Sequence, residues 1–407
     1  MNQKSRGFVK NLFSEYYMQA YSPKAPPTME RREFGFVLFE GFVLRHKSFR
    51  SVYELKHFLG SSAPMDVYYS CAYYENPEAE MAQKAWLGAD LIFDVDADHI
   101  PTNCEKIHDE WFCGVCGFAG KGVKPEKCPI CNSEKFSVTS WPCETCLESA
   151  KTETTKLLDI LMDDFGFSSS EIQTFFSGHR GYHVQIESEA LSTLDSAARK
   201  EIVDYITCLG LETPLQNAGE IKAKTSTSNQ TGYGWSKRLN VGLIEFIRNA
   251  EENDLIKIGL KRNIAEAIMQ NKESLLKHLT ISGRWKSIRG VGSETVRILK
   301  KHVANLQSAK IDTVVTTDIH RLIRLSETLH GKTGLKKTWF PTNEIEVFDP
   351  FKKASAFKKG TITLFVSDSP KFKLNGETFG PYKNQKVELP TSAAILLICK
   401  NKAEVLE

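Results

Sequence analysis

Of the chain's 10 cysteines, seven fall between residues 104 and 146, with His108 among them, spaced as CEKIH, CGVC, CPIC and CETC. Two thiolates separated by two residues can hold one ion from a single knuckle, and eight ligands fill two tetrahedral zinc sites. A disulfide framework suits small secreted domains, and no secretory leader is recognisable here, so metal is the preferred reading. Pairing Cys113 and Cys116 with Cys128 and Cys131 predicts a zinc ribbon over a short Gly- and Lys-containing loop. Cys104, His108, Cys143 and Cys146 then form the second site, although other pairings of the knuckles fit the same spacing. Sites saturated by four protein ligands are structural, so neither is assigned catalytic work. Cys71, Cys208 and Cys399 lie outside the cluster and read as buried thiols.

Just upstream stands DLIFDVDADH. In an extended strand successive side chains alternate faces, so Leu91, Phe93 and Val95 can enter a core while Asp94 and Asp96 share the other side. Their Cα atoms would be about 6.6 Å apart, within reach of one pair of divalent ions. Two such anions raise each other's pKa and are costly without a cation beside them. Hard oxygen ligands select Mg²⁺ or Mn²⁺. An acidic strand end is the plainer alternative.

The segment SGHRGYH, Ser177 to His183, favours the metal reading. Ser177, Arg180 and His183 suit an anionic phosphate, and Gly178 and Gly181 let backbone come close to a ligand. TFF before it reads as a strand, and in YHVQI after it Tyr182, Val184 and Ile186 share one face, leaving His183 on the other. A tight turn between two strands is the structural alternative.

Together DVD and SGHRGYH resemble the catalytic small subunit of the archaeal and eukaryotic type of DNA primase, with details closer to the archaeal proteins. IDTVVTTDIHRLIRLSETLHGKTGL, residues 311–335, is similar to the family's later motif. The resemblance implies Asp312 as a third metal-binding carboxylate, with Asp318 as the rival, and Arg324 and His330 as contacts to the incoming nucleotide's phosphates. It also implies that Ser177, Arg180 and His183 form a phosphate-binding turn. His179 stands where some relatives carry a second Arg. Arg45, in RREFGFVLFEGFVLRHKSF, falls at a nucleotide-binding position, and Asp66 corresponds to a residue beside the sugar. The site of Cys104, His108, Cys143 and Cys146 resembles the family's zinc knob, with the ribbon as an insertion.

The rest of the chain is compatible with that picture. With 407 residues, 41% hydrophobic and 25% charged, it can support two or three domains. A formal net charge of +3 does not by itself establish nucleic-acid binding. Basic residues do cluster at Arg31, Arg32, Arg45, Lys47 and Arg50, and in GKGVKPEK. FVKNLFSEYYMQAY predicts an amphipathic helix, and ETTKLLDILMDDFGF another, with Leu157, Leu158, Leu161 and Phe165 on one side and Gly166 as its stop. RWKSIRGVGSETVRILKKH reads as a helical hairpin. From TWFPTNEIEVFDPF onward the pattern alternates as strands, with Asn375 and Gly376 as a hairpin turn. AAILLIC is far too short to span a bilayer, and no P-loop is present.

The resulting expectation is an α+β, mixed-sheet primase catalytic core with an inserted zinc module and a helical subdomain. Core segments are placed at 1–103, 147–187 and 309–407, the zinc module at 104–146 and the helices at 188–308. The resemblance implies a nucleotidyltransferase, a DNA-directed RNA polymerase of primase type. It would use Mg²⁺ or Mn²⁺ at Asp94, Asp96 and Asp312, plus structural Zn²⁺, to make short RNA primers for DNA replication. Single-stranded DNA template, nucleoside triphosphates and a large primase subunit are the implied partners, in the cytoplasm at the replication fork and with no membrane. A primer-extending repair polymerase of the same superfamily, a metal-dependent phosphodiesterase and a non-catalytic zinc-ribbon adaptor are the alternatives.

Overall fold

The computed structural model describes residues 1–22, 24–210 and 233–406. The chain folds into two compact units, one of Met1–Thr154, Ser168–Arg199 and Ile311–Glu407, the other of Thr155–Phe167 and Lys200–Lys310. The α+β expectation holds. The mixed sheet resolves into antiparallel ladders throughout the described residues.

Two four-stranded sheets organise the first unit. One runs Leu322–Arg324, Asp66–Ser70, Phe34–Val37, Val43–Lys47 in spatial order, and the other Thr338–Phe340, Ile172–Phe176, Gly181–Ile186, Leu91–Asp96. The strand alternation read from DLIFDVD is seen directly: Leu91, Phe93 and Val95 are buried while Asp94 and Asp96 keep partial exposure. Apolar side chains in one row and carboxylates in the other decide which face packs and which stays open. A buried hydrogen bond from Tyr69 Oη to Gln185 Oε1 (3.1 Å) joins the two sheets.

The cysteine segment carries its own three-stranded sheet, Ala119–Lys121, Glu110–Cys113 and Phe136–Thr139. Phe372–Leu374 and Glu377–Phe379 form the expected hairpin, with Asn375 (φ 53°) and Gly376 (φ 83°) supplying the left-handed turn. The strand expectation fails at Thr391–Cys399, which is a helix buried along its whole length. A short apolar run looks the same whether it is a buried strand or a buried helix, and here every residue from Thr391 to Cys399 faces protein.

The second unit is helical. Leu243, Ile247, Leu255, Ile268, Leu275, Leu299 and Val303 form its core, and burying each such side chain contributes about 1.5–3 kcal/mol before chain entropy is counted. Leu157, Leu158 and Leu161 are buried as expected, but Phe165 is 37% exposed, its ring edge-on to Tyr205 (5.2 Å). Of the basic hairpin only Ser293–Gln307 is helical; Ile288 and Val291 bridge across the turn before it. Most of the polar stretch TSTSNQTGYGWS lies outside the described residues. Among the described residues no helix is long and apolar enough to cross a membrane.

Candidate active site

The Asp strand and the strand after SGHRGYH are antiparallel neighbours in a register that sets Asp94 opposite His183 and Asp96 opposite Gly181. The missing side chain at 181 is what permits this approach. A Cβ there would lie 2.5 Å from the Val95 carbonyl oxygen and 3.0 Å from Asp96 Cα. Ser177 N–H donates to the Gly181 carbonyl (2.9 Å), closing the turn, and Gly178 takes φ +90° within it.

Asp312 comes from far along the chain. Its backbone N–H donates to the Asp94 carbonyl (2.8 Å), and its Oδ1 accepts from Val314 N–H (2.9 Å), so it caps the short helix Thr313–Thr317 beside the Asp strand. Asp318 Oδ1 instead accepts from His320 N–H. Burial, then the charge of Asp96, then that of Asp312, pushes the Asp94 pKa up to about 8. Burial and Asp98 raise Asp96 to about 6.

Asp94, Asp96 and Asp98 line a cleft of 230 Å³ together with Ser177, His183, Arg324 and His330, while Asp312 reaches it only through its bond to the Asp94 backbone. Arg321 and Lys332 line it too, although neither was singled out from sequence. Neither side chain has a hydrogen bond or ion pair among the described residues, so both cations are free to meet an anion. A larger cavity of 540 Å³, lined by Tyr69, Gln185, Lys337 and Trp339, contains none of the paired carboxylates. Size alone would have pointed to the wrong place.

Arg324 is held rather than free. Its guanidinium donates to Asp66 Oδ1 (2.6 Å), the Leu329 carbonyl (3.2 Å) and Tyr68 Oη (3.2 Å). Asp66 Oδ1 also accepts from Gly331 N–H (2.9 Å), so this carboxylate braces the Arg and the His330 loop from beneath. Burial holds His183 and His330 well below the usual imidazole range and therefore neutral at pH 7. The Lys332 N–H donates to His330 Nδ1 (3.1 Å), which leaves its proton on Nε2.

Arg180 and Arg45 stand apart from the cleft lining. Arg180 is 2% exposed and donates to Asp98 and to Asp109 (Nη1 to Oδ1, 3.0 Å). Arg45 donates through Nε to Glu33 (2.8 Å). Asp109 was overlooked in the sequence, yet it adjoins the candidate ligand His108 and lies 2.8 Å from His108 Nδ1. A carboxylate beside a ligating histidine is the usual device for fixing its tautomer. One aspartate thus connects the cysteine module to the turn at Ser177–Gly181.

Cys104, His108, Cys143 and Cys146 bring their ligand atoms within 4.8 Å of one another, and so do Cys113, Cys116, Cys128 and Cys131. This is the partition expected from the ribbon pairing. Separations of 3.5 Å (Cys104–Cys146), 3.5 Å (Cys113–Cys131) and 3.6 Å (Cys116–Cys128) suit the about 3.8 Å edge of a tetrahedron with metal–sulfur arms of about 2.3 Å. Among the described residues the aspartates do not close to the same spacing.

Comparison with known proteins agrees with this geometry. The family described as DNA primase small subunit matches residues 142–339. The chain is 33% identical to the DNA primase small subunit PriS of Methanothrix thermoacetophila, the alignment covering 100% of both proteins. It is 30% identical to that of Nitrosopumilus maritimus, again over 100% of both, and 34% identical to that of Archaeoglobus fulgidus over 97% of each. A carboxylate pair on a strand, a glycine turn beside it and full-length similarity to these archaeal proteins lead to one conclusion: the chain belongs to the DNA primase small subunit family.

Proposed function

We propose that this chain is a nucleotidyltransferase that builds short RNA primers on single-stranded DNA from nucleoside triphosphates. The observation that carries the reading is the meeting of Asp94 and Asp96 with Arg324 and His330 in one cleft, with Asp312 bonded to the Asp94 backbone and its charge acting on that carboxylate, from segments distant in sequence. Carboxylates and hydrogen-bond donors lining one cleft match a reaction in which a polyanion must be held in line with a hydroxyl. Asp312, not Asp318, is the third carboxylate in this reading, because its charge bears on Asp94 and its backbone is bonded to it.

The donor set is all hard oxygen, and the charges of Asp96 and Asp312 raise the Asp94 pKa, which fits a pair of divalent cations. When bound, Mg²⁺ or Mn²⁺ supplies Lewis-acid activation of the primer 3′-hydroxyl and neutralises the leaving pyrophosphate. The chain's own groups do the rest. Arg324, fixed by Asp66 and Tyr68, and His330, with its Nε2 proton, are preorganised donors to the triphosphate. Arg321 and Lys332 add positive charge at the same wall. Arg180 supports the turn through Asp98 and Asp109. The two cysteine groups hold structural Zn²⁺, four ligands each and no open position. The family's name as a small subunit supports a larger partner subunit.

Incubation with unprimed single-stranded template, nucleoside triphosphates and Mn²⁺ tests the reading. De novo oligonucleotides should form, and Asp96→Asn should abolish them while zinc content and fold are kept. Extension of supplied primers without de novo products would point to a repair polymerase, and cleavage of the template without triphosphates to a phosphodiesterase.

A further inference from the structure

The buried helix Thr391–Cys399 ends at Lys400, itself 5% exposed. Its Nζ has no carboxylate within 4.0 Å among the described residues, and its side-chain partner is His179 Nε2 at 3.0 Å. A buried ammonium without a counter-charge is costly, and an anion nearby relieves that cost. Burial, then Lys332, then Arg180, pushes the Lys400 pKa down to about 7.

Hydrogen-bond chemistry then fixes the imidazole. In its charged form Lys400 can only donate, so His179 Nε2 then accepts and the ring's proton sits on Nδ1. The Ser140 hydroxyl, 3.2 Å from the same Nε2, can donate there as well. His179 lines the cleft, and its Nδ1 makes no hydrogen bond among the described residues. The ring lies 5.4 Å from that of His330, whose tautomer is set the opposite way by the Lys332 N–H. Both imidazoles are neutral through burial, and each carries an N–H with no protein acceptor. The surrounding backbone is tied: Thr333 Oγ1 donates to the Gly178 carbonyl (2.6 Å), and a Cβ at Gly334 would lie 2.4 Å from Ile395 Cγ2. The two phosphate loops and the last helix therefore pack as one block.

We propose that Lys400 is a positioning residue for the nucleotide's triphosphate: by donating to His179 Nε2 it fixes the tautomer that presents Nδ1–H to the phosphates. The proposal rests on the nucleotidyl-transfer reading and adds a residue to it. Steady-state kinetics of the full-length protein provide the test. Lys400→Met should raise KM for nucleoside triphosphate about tenfold with kcat and template affinity within about twofold, the pattern of a lost binding interaction. Lys400→Arg should restore most of the loss. In protein labelled with ¹⁵N-histidine, His179 should show the Nδ1–H tautomer in the parent, a readout that needs no variant to fold. A parental KM in Lys400→Met, or an Nε2–H signal for His179 in the parent, overturns the proposal and leaves the polymerase reading intact. A parent that adds no nucleotide overturns both.

Discussion

His183 stands directly opposite Asp94 across two antiparallel strands, its Nε2 3.5 Å from Asp94 Oδ1. The imidazole is held neutral by burial, and its Nδ1 has no partner among the described residues. It therefore offers Asp94 a dipole and no full countercharge. Neighbouring carboxylates are left to raise the pKa values of Asp94 and Asp96, as negative charge gathered in one place without a full countercharge must.

The first prediction follows from the sign of that shift. A carboxyl with a raised folded-state pKa holds its proton more tightly in the folded chain, so stability falls as pH climbs from about 4 towards about 8. In buffer free of divalent cations, Asp94→Asn removes this loss. It should stabilise the protein by about 1–3 kcal/mol at pH 8, less than the full shift implies because the side chain is 25% exposed. At pH 4 the gain should vanish. Thermal unfolding at both pH values checks the claim, and a variant less stable than the parent at pH 8 would refute the electrostatic account.

Gly181→Ala should act on geometry rather than charge. The new Cβ would sit 2.5 Å from the Val95 carbonyl, and the obstacle is backbone, which cannot rotate away. Strand separation must grow next to Asp96, at a cost of about 1–3 kcal/mol. Nucleotide addition should fall more than that loss of stability accounts for, because a shift of about 1 Å at a reacting site can cost 10²-fold. Urea unfolding and single-turnover kinetics on the same preparation separate the two effects.

Much of this site is legible in the sequence alone. Asp94, Asp96, Ser177 and His183 announce themselves by period-two alternation around a glycine turn, and the eight metal-ligating residues by knuckle spacing that admits the observed partition among others, because both signals are local. What stays hidden depends on partners distant in sequence. Nothing near Arg180 reveals that Asp98 and Asp109 occupy its guanidinium, nor does anything near Asp66 reveal Arg324, 258 residues on. The helix at Thr391–Cys399 is misread for another reason. A segment buried on all sides has no polar face to betray its period.

The link from the cysteine module to the turn that carries Arg180 yields a third prediction. Asp109 bonds His108 on one side and Arg180 on the other. Asp109→Asn should weaken metal retention at the site of Cys104, His108, Cys143 and Cys146 by about 10–100-fold, as loss of a carboxylate behind a ligating histidine does. The ribbon site of Cys113, Cys116, Cys128 and Cys131 should keep its ion. Elemental analysis should find two zinc ions per chain in the parent, and graded chelation should release one of them early in the variant. Simultaneous loss of both ions would show that the sites are not independent.

Asp66 supplies the last prediction, and here two accounts diverge. The family resemblance places this residue beside the sugar, whereas its Oδ1 accepts from Arg324 and from Gly331 N–H. Arg324 is 7% exposed at its side chain, so removing the carboxylate strands a buried cation. Asp66→Ala should then cost about 3–5 kcal/mol of stability, the usual penalty for breaking a buried pair from one side. Asp66→Asn, which keeps an acceptor for both donors, should cost less. A double-mutant cycle with Arg324→Met isolates the pair: with the guanidinium gone, Asp66→Ala should become far less damaging. If Asp66→Ala leaves urea unfolding unchanged and alters only the choice between ribo- and deoxyribonucleotides, its carboxylate serves the sugar, and the bracing of Arg324 is incidental.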